Sequence, residues 1–570
     1  MRTTIHALLA LCLLLPARAL EAPPEAASGS APKPQAFAPH AMVVTANPHA
    51  TRAAVQTLQR GGSAIDAIVA AQMVLGLVEP QSSGVGGGGF LLHWNGRTLT
   101  SWDGRETAPA AARPDRFLGA DGKPLDTRAA IVGGRSVGVP GIVAMLAAVQ
   151  KQEGALPWSG LFAPAIALAE GGFAVSPRLN ALLATERDLP RQPAARDYFY
   201  QPDGQPRAVG STLRNPAYAA TLRRLARDPQ ALYHGPLARD IVAAVRGHAA
   251  NPGDLAEADL AAYRPRQRPA LCGPYRVYRV CGMGPPSSGG VTVLQMLGLL
   301  EHVDLGREPL APQAVHLFSE AGRLAFADRN RYLGDADFVA VPLAGLLDPA
   351  YLARRAGYLD PARSLGKAQP GEPPPAVARA DDASPELPST SQLVVVDAQG
   401  RVASLTSSIE DQFGSRLMVG GFLLNNQLTD FSFAPDEAGV PVANRVEPGK
   451  RPRSSMSPTI VFDAAGRPVY ALGSPGGSQI INYVAQTLVG LLDWRLEPAE
   501  AVALPHYGSR NGPTELEAGT PVAELGPILM SRGHEISIAP ATSGLAVVRI
   551  GPRGLSGAAD PRREGVAAGY

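Results

Sequence analysis

The sequence predicts a globular α+β protein whose helices dominate the first two-thirds and whose clearest β-hairpin opens the last third. Three observations carry this. Apolar residues recur at helical spacing in separate runs between His40 and Arg331. A proline-rich, apolar-poor stretch interrupts the chain at 368–388 (AQPGEPPPAVARADDASPELP). Directly after it, SQLVVVD and RVASLTSSI flank a turn at Asp397-Ala398-Gln399-Gly400, the pattern of two paired strands.

Composition narrows the function classes. The 570 residues carry 52 Lys+Arg against 50 Asp+Glu, a net charge of +2, with 18% charged residues scattered rather than in runs. Nucleic-acid binding needs a basic stripe, so that class is disfavoured. With 45% hydrophobic residues the chain can bury a large core or two to three smaller ones.

From the N-terminus, Arg2, the apolar run Ala7–Leu15 and the small residues Ala17 and Ala19 read as a cleavable export signal over 1–19. The run is too short to span a bilayer, which takes about 20 apolar residues. No later run is long enough either, so no membrane association is expected once the signal is removed. Residues 20–37 form a Pro/Ala/Ser tail expected to be disordered. A strand at AMVVTA follows, then helices through Ala50–Gln59 and from Ser63 through Val78, with Gly61-Gly62 as the stop between them. FLLHW reads as a strand. Further helices are expected around Val143–Gln150, Pro164–Ala169, Ala238–Val245, Val291–His302 and Ala314–Arg331.

Cys272 and Cys281 are the two cysteines left after the signal. Export permits a disulfide, but Tyr275 to Val280 alternate as one strand entered through Gly273-Pro274. Nine residues of extended chain would hold the thiols apart, so a bridge requires a bend between them. Residues 368–388 are read as an exposed linker.

At the linker's end sits Thr390. Pairing Val396 with Arg401 gives residue pairs summing to 797, within one, and sets Thr390 beside Thr406, Ser407 and Ser408. Cleavage before Thr390 would free an α-amine, with a pKa near ~7.7–8.0, able to act as base for its own hydroxyl. From spacing alone, Ser389-Thr390 reads first as an ordinary strand start.

Other motifs lack their context. Gly84–Gly89 contains G-x-G-x-x-G, but a helix precedes it and a strand follows, the reverse of a dinucleotide site. Gly134-Arg135-Ser136-Val137-Gly138 matches G-x-S-x-G without a preceding strand. Ser364-Leu365-Gly366-Lys367 stands without a K-T-G partner. The ten His are dispersed, so no metal or cofactor is implied.

Several ordered segments together resemble the γ-glutamyltransferase family. They are Thr390-Ser391-Gln392, Thr406–Glu410, GGFLLNNQLTDFSF (420–433), KRPRSSMSPTI (450–460), GSPGGS (473–478) and DPRREGVAAGY. Upstream, GGSAIDAIVAAQMVLGLVEPQSSGVGGGGF (61–90), GRETAP (104–109), VGVPG (137–141) and GPPSSGG (284–290) extend the likeness over about 38–570.

The resemblance implies an N-terminal-nucleophile (Ntn) hydrolase. Its fold would be a four-layer αββα sandwich, and its precursor would cut itself into a large subunit, 38–389, and a small one, 390–570, forming a heterodimer. It implies Thr390 as nucleophile and Ser408 as the hydroxyl beside the freed amine. Gly476 and Gly477 would form the oxyanion hole. Arg105, Ser454 and Ser455 would hold the substrate α-carboxylate, and Glu410, Gln427 and Asp430 the α-ammonium. The implied substrates are glutathione and other γ-glutamyl amides, with water, an amino acid or a dipeptide as acceptor.

Three features depart from the pattern or vary within the family. Gln392 stands where many relatives have His, Glu410 where others have Asn, and the eighteen residues 432–449 carry only Phe433 as an aromatic for a lid. Two alternatives remain at this level: an acylase of the same family acting on glutaryl or cephalosporin side chains, and an inactive exported binding protein. Glu410 and Asp430 favour the γ-glutamyl reading, because a glutaryl group offers them no amine.

Overall fold

The computed structural model describes residues 32–375, 378–382, 384, 387 and 389–570. The expected signal and the first part of the tail lie outside them. Two seven-stranded antiparallel sheets stack face to face. One runs in the order Ala36–Ala38, Gly554–Ala559, Ala546–Gly551, Pro468–Gly473, Thr459–Phe462, Tyr278–Gly282, Leu271–Tyr275. The other runs Val566–Gly569, Met42–Thr45, Ser391–Val396, Val402–Ser408, Gly88–Trp94, Leu99–Asp103, Arg266–Arg268.

Strand alternation builds the layers. Val394, Val396 and Val402 point inward with Met42, Val44 and Leu92 to meet Ile460, Phe462, Ala471 and Val548 of the facing sheet. The intervening Leu393, Val395, Ala403 and Leu405 point the other way, into helices Pro48–Gln59, Ala64–Val78 and Ile142–Glu153. Val461, Leu472 and Val547 likewise meet helices Gly289–Leu300, Pro312–Tyr332 and Ile480–Leu492. The result is the αββα sandwich. Because the core strands are covered on both faces, Leu393–Val396 reads as a continuous apolar run rather than an alternating one.

The helices start where their caps dictate. Asn47 accepts from His49 N with Pro48 at the first turn, and Ser63 forms a capping box with Asp66. The hairpin pairs Ser391 with Ser407 and Val396 with Val402, pairs summing to 798, which is within the one-residue margin and sets Thr390 level with Ser408.

Three expectations are corrected. The ordered chain begins before residue 38: Ala36–Ala38 is an edge strand paired with Leu555–Gly557, and Lys33 and Gln35 are tethered to side chains or carbonyls of distant segments. Residues 271–282 are a hairpin turning at Arg276-Val277, not one strand from Gly273-Pro274, so Cys272 and Cys281 face each other and form a disulfide. The linker is not simply exposed. Ala380 donates its N–H to Pro441 O, and the buried Asp382 carboxylate accepts from Arg453 and Asn444, both at 2.9 Å.

Candidate active site

A small cavity of about 20 Å³ is lined by Arg105, Thr390, Ser408, Glu410, Gln427, Asp430, Ser454, Ser455 and Gly477, together with Leu387, Ser389, Met456 and Ile480. Nine of the ten residues singled out from the sequence thus meet at one point; Gly476, next to Gly477, is not among those lining it. The hairpin delivers Thr390 and Ser408 from adjacent strands, and the loop after it delivers Glu410, whose φ is +82°.

The chain is continuous through Ser389 and Thr390, and two hydroxyls converge on the carbonyl between them. Thr390 Oγ1 donates to Ser389 O at 2.6 Å and Ser408 Oγ donates to the same oxygen at 2.7 Å. Ser408 Oγ in turn accepts from Glu410 N at 2.8 Å. Arg563 Nη1 donates to Thr390 O at 3.0 Å, fixing the carbonyl on the other side of the threonine. The glycine run 84–89, discounted as a nucleotide loop, packs here: a Cβ on Gly87 would lie 2.1 Å from Ser408 O.

Beyond the hydroxyls lies a buried charged pocket. Arg105 is ion-paired with Asp430, whose Oδ2 also accepts from Gln427 Nε2 at 2.9 Å. Glu410 accepts from Asn426 and, at 3.4 Å, from Leu387 N of the linker. Burial, with Asp430 and Asp411 nearby, holds the Glu410 carboxyl well above the usual carboxylate range. Ser455 Oγ accepts from Arg329 Nη2 at 2.7 Å, and Ser454 O accepts from Ser288 N at 2.7 Å. Gln392, in the position that departs from the family pattern, is engaged locally, donating to Ser404 Oγ at 3.0 Å and accepting from Thr406 Oγ1 at 2.6 Å.

Two residues were passed over in the sequence. Arg329, on the helix Pro312–Tyr332, carried no local signal. Glu106 had only its place beside Arg105 in GRETAP. It is fully buried, and among the described residues neither carboxylate oxygen, nor Arg105 Nη1 3.9 Å away, has a hydrogen-bond partner. Burial pushes Glu106 up to about 8, against the pull of Arg105. The single aromatic of segment 432–449, Phe433, stacks on Phe117 at 4.7 Å within a separate core cluster, while Asp436–Glu437 and Val440–Pro441 form a small exposed ribbon beside the linker.

The αββα sandwich with a threonine at the head of a central strand defines the class of N-terminal-nucleophile hydrolases. A family model for gamma-glutamyltranspeptidase matches residues 50–570. The chain is 36% identical over 551 residues to a glutathione hydrolase proenzyme of Escherichia coli (93% of this chain, 92% of that one). It is also 36% identical over 558 residues to an acylase ACY 1 proenzyme of Pseudomonas sp. strain V22 (95% and 96%). A cephalosporin acylase crystal structure from Bacillus halodurans superposes with a TM-score of 0.84 at 27% identity, covering 95% of this chain and 98% of that one. The protein belongs to the gamma-glutamyltranspeptidase family.

Proposed function

We propose that the chain is a proenzyme that cuts itself before Thr390 and then hydrolyses or transfers the γ-glutamyl group of glutathione and related amides. In the first step Thr390 Oγ1 attacks the Ser389 carbonyl carbon, and the Ser408 hydroxyl stabilises the developing oxyanion. The hydroxyl proton passes to the leaving nitrogen as the peptide C–N bond breaks and the ester forms, freeing the Thr390 amine, and water then hydrolyses the ester, releasing Ser389 as a carboxylate and restoring the Thr390 hydroxyl. In turnover that amine takes the Thr390 hydroxyl proton, the oxygen attacks the γ-carbonyl, and the proton leaves with the departing amine. Gly476 and Gly477 supply amides to the oxyanion, and water or an amino acid or dipeptide amine takes the acyl group. The processed halves, 38–389 and 390–570, stay together as a heterodimer, exported by the signal over 1–19.

The observation that carries the substrate class is the pairing of Glu410 and Asp430 with Arg105 in one buried pocket. An α-amino acid head group answers both signs: its carboxylate takes the Arg105 fork with Ser454 and Ser455, and its ammonium takes Asp430, Glu410 and Gln427. A glutaryl group brings no ammonium to Glu410 and Gln427 Oε1, and a buried polar group left without its partner costs about 1–3 kcal/mol. Relatives named as hydrolases and as acylases are equally similar, so this pocket is what separates the two readings.

The test compares γ-glutamyl and glutaryl p-nitroanilides on the processed enzyme. The expected kcat/KM ratio favours γ-glutamyl by at least about a hundredfold. Equal or better turnover of the glutaryl compound contradicts the γ-glutamyl assignment.

A further inference from the structure

We propose that Lys33, in the arm ahead of the first strand, is a positioning residue for the reaction at Thr390. The inference rests on Thr390 being the nucleophile. The Lys33 ammonium donates to three backbone carbonyls of a single loop: Asp560 O at 2.8 Å, Gly565 O at 2.6 Å and Arg563 O. An ammonium has three donors, and all three are used here. Three carbonyl oxygens aimed at one half-buried point repel one another unless a cation sits between them. Lys33 is that cation, and burial lowers its pKa even with Asp560 and Glu564 close by.

The same loop carries Arg563, whose side chain runs in the opposite direction. Its Nη1 donates to Thr390 O and its Nη2 to Thr542 O at 2.7 Å. A short path therefore links the arm to the nucleophile: ammonium, Arg563 carbonyl, Arg563 guanidinium, Thr390 carbonyl. The neighbouring Arg562 is held by Glu517, Val502 O, Leu504 O and the Asp560 carboxylate without the help of Lys33, so the part of the loop that depends most on Lys33 is the stretch bearing Arg563. Removing the ammonium loosens that stretch and with it the Thr390 carbonyl, although Lys33 itself touches no group that contacts substrate.

Gln35 provides the control. It ties the same arm to Glu497 and Ala499 N, both at 3.2 Å, away from the carbonyl cluster. Full-length wild type, Lys33→Ala, Lys33→Arg and Gln35→Ala are compared for the half-time of cleavage before Thr390 and for kcat and KM on γ-glutamyl p-nitroanilide, with and without ethylammonium chloride. K33A is expected to lose at least about tenfold in cleavage rate and in kcat with KM within about twofold, and to recover in part with ethylammonium. K33R is expected to fall between, and Q35A to match wild type. Wild-type rates in K33A, an equal loss in Q35A, or a loss that ethylammonium does not reverse overturns the proposal. If K33A does not fold, K33R decides by hydrogen exchange: amides of 560–565 as protected as in wild type, with unchanged kcat, overturn it. A wild-type chain that never cuts before Thr390 removes the functional reading itself, an outcome distinct from either.

Discussion

At Thr390, two hydroxyls donating to one carbonyl oxygen polarise the peptide bond before it. Losing one hydrogen-bond donor to a developing oxyanion costs about a hundredfold or more in rate, whereas Ser408→Ala also leaves Glu410 N without its acceptor, which costs the fold about 1–3 kcal/mol. Ser408→Ala is therefore expected to slow cleavage before Thr390 by about a hundredfold with a Tm lower by only a few degrees; densitometry of the fragments over time checks it, and cleavage at the wild-type rate contradicts it. The residues of this site were legible to unequal degrees. Thr390 and Ser408 could be placed together from strand alternation and one turn, because pairing register is local arithmetic. Glu410, Asp430 and Arg105 could be grouped only through the ordered family motifs, since they come from loops on separate elements. Glu106 was invisible because its distinguishing property, a fully buried carboxylate whose ion-pair partner Arg105 stands 3.9 Å away, is made entirely by tertiary packing.

Between elements, the helix Pro312–Tyr332 meets the C-terminal segment through a directional hydrogen-bond chain that no motif announced. Asp360 O can only accept, so His316 Nε2 carries the proton at 2.7 Å, leaving His316 Nδ1 to accept from His534 Nε2 at 2.6 Å. His534 Nδ1 then accepts from Thr514 at 2.7 Å, and Thr514 Oγ1 accepts from Arg323 Nη2 at 2.8 Å. Every ring nitrogen is satisfied with both rings neutral. Burial, reinforced by the neighbouring Arg323 and Arg532 guanidinium groups, lowers His534 to about 3. The unfolded chain, with His near ~6.5, then binds the proton that the folded chain refuses. Stability is accordingly lost as pH falls from about 6.5 toward 3, with a slope of up to about 1.4 kcal/mol per pH unit. His534→Gln is expected to flatten Tm against pH across this window relative to wild type; identical slopes contradict the assignment. The two elements were partly foreseen: the long helix was read from its period, but Ile536–Ala539 and its neighbours were not, being strands of only three or four residues.

Over the whole molecule, the two prospective fragments are woven into one sheet. Met42–Thr45 lies between Ser391–Val396 and Val566–Gly569, so a strand of the N-terminal piece is hydrogen-bonded on both edges by the C-terminal one. The facing sheet also joins the two pieces, where Tyr278–Gly282 pairs with Thr459–Phe462. A cut at residue 389 therefore separates no layer. The helical first two-thirds and the hairpin were readable from periodicity, yet the facing sheet was not, because its strands are scattered from residue 36 to 559 and only long-range pairing gathers them. The linker was misread for the same reason: its proline content fits an exposed tether, while Asp382 is bound to Arg453 and Asn444 beside the pocket. The central claim, that Thr390 cuts its own chain and then works from its new N-terminus, is tested most directly by one measurement. It is the denatured intact mass, with N-terminal sequencing, of protein that elutes as a single native species, for wild type and Thr390→Ala. The account predicts two wild-type fragments, the smaller beginning Thr-Ser-Gln, and one uncut chain for T390A. An uncut wild type, or a T390A chain cut at the same bond, contradicts it.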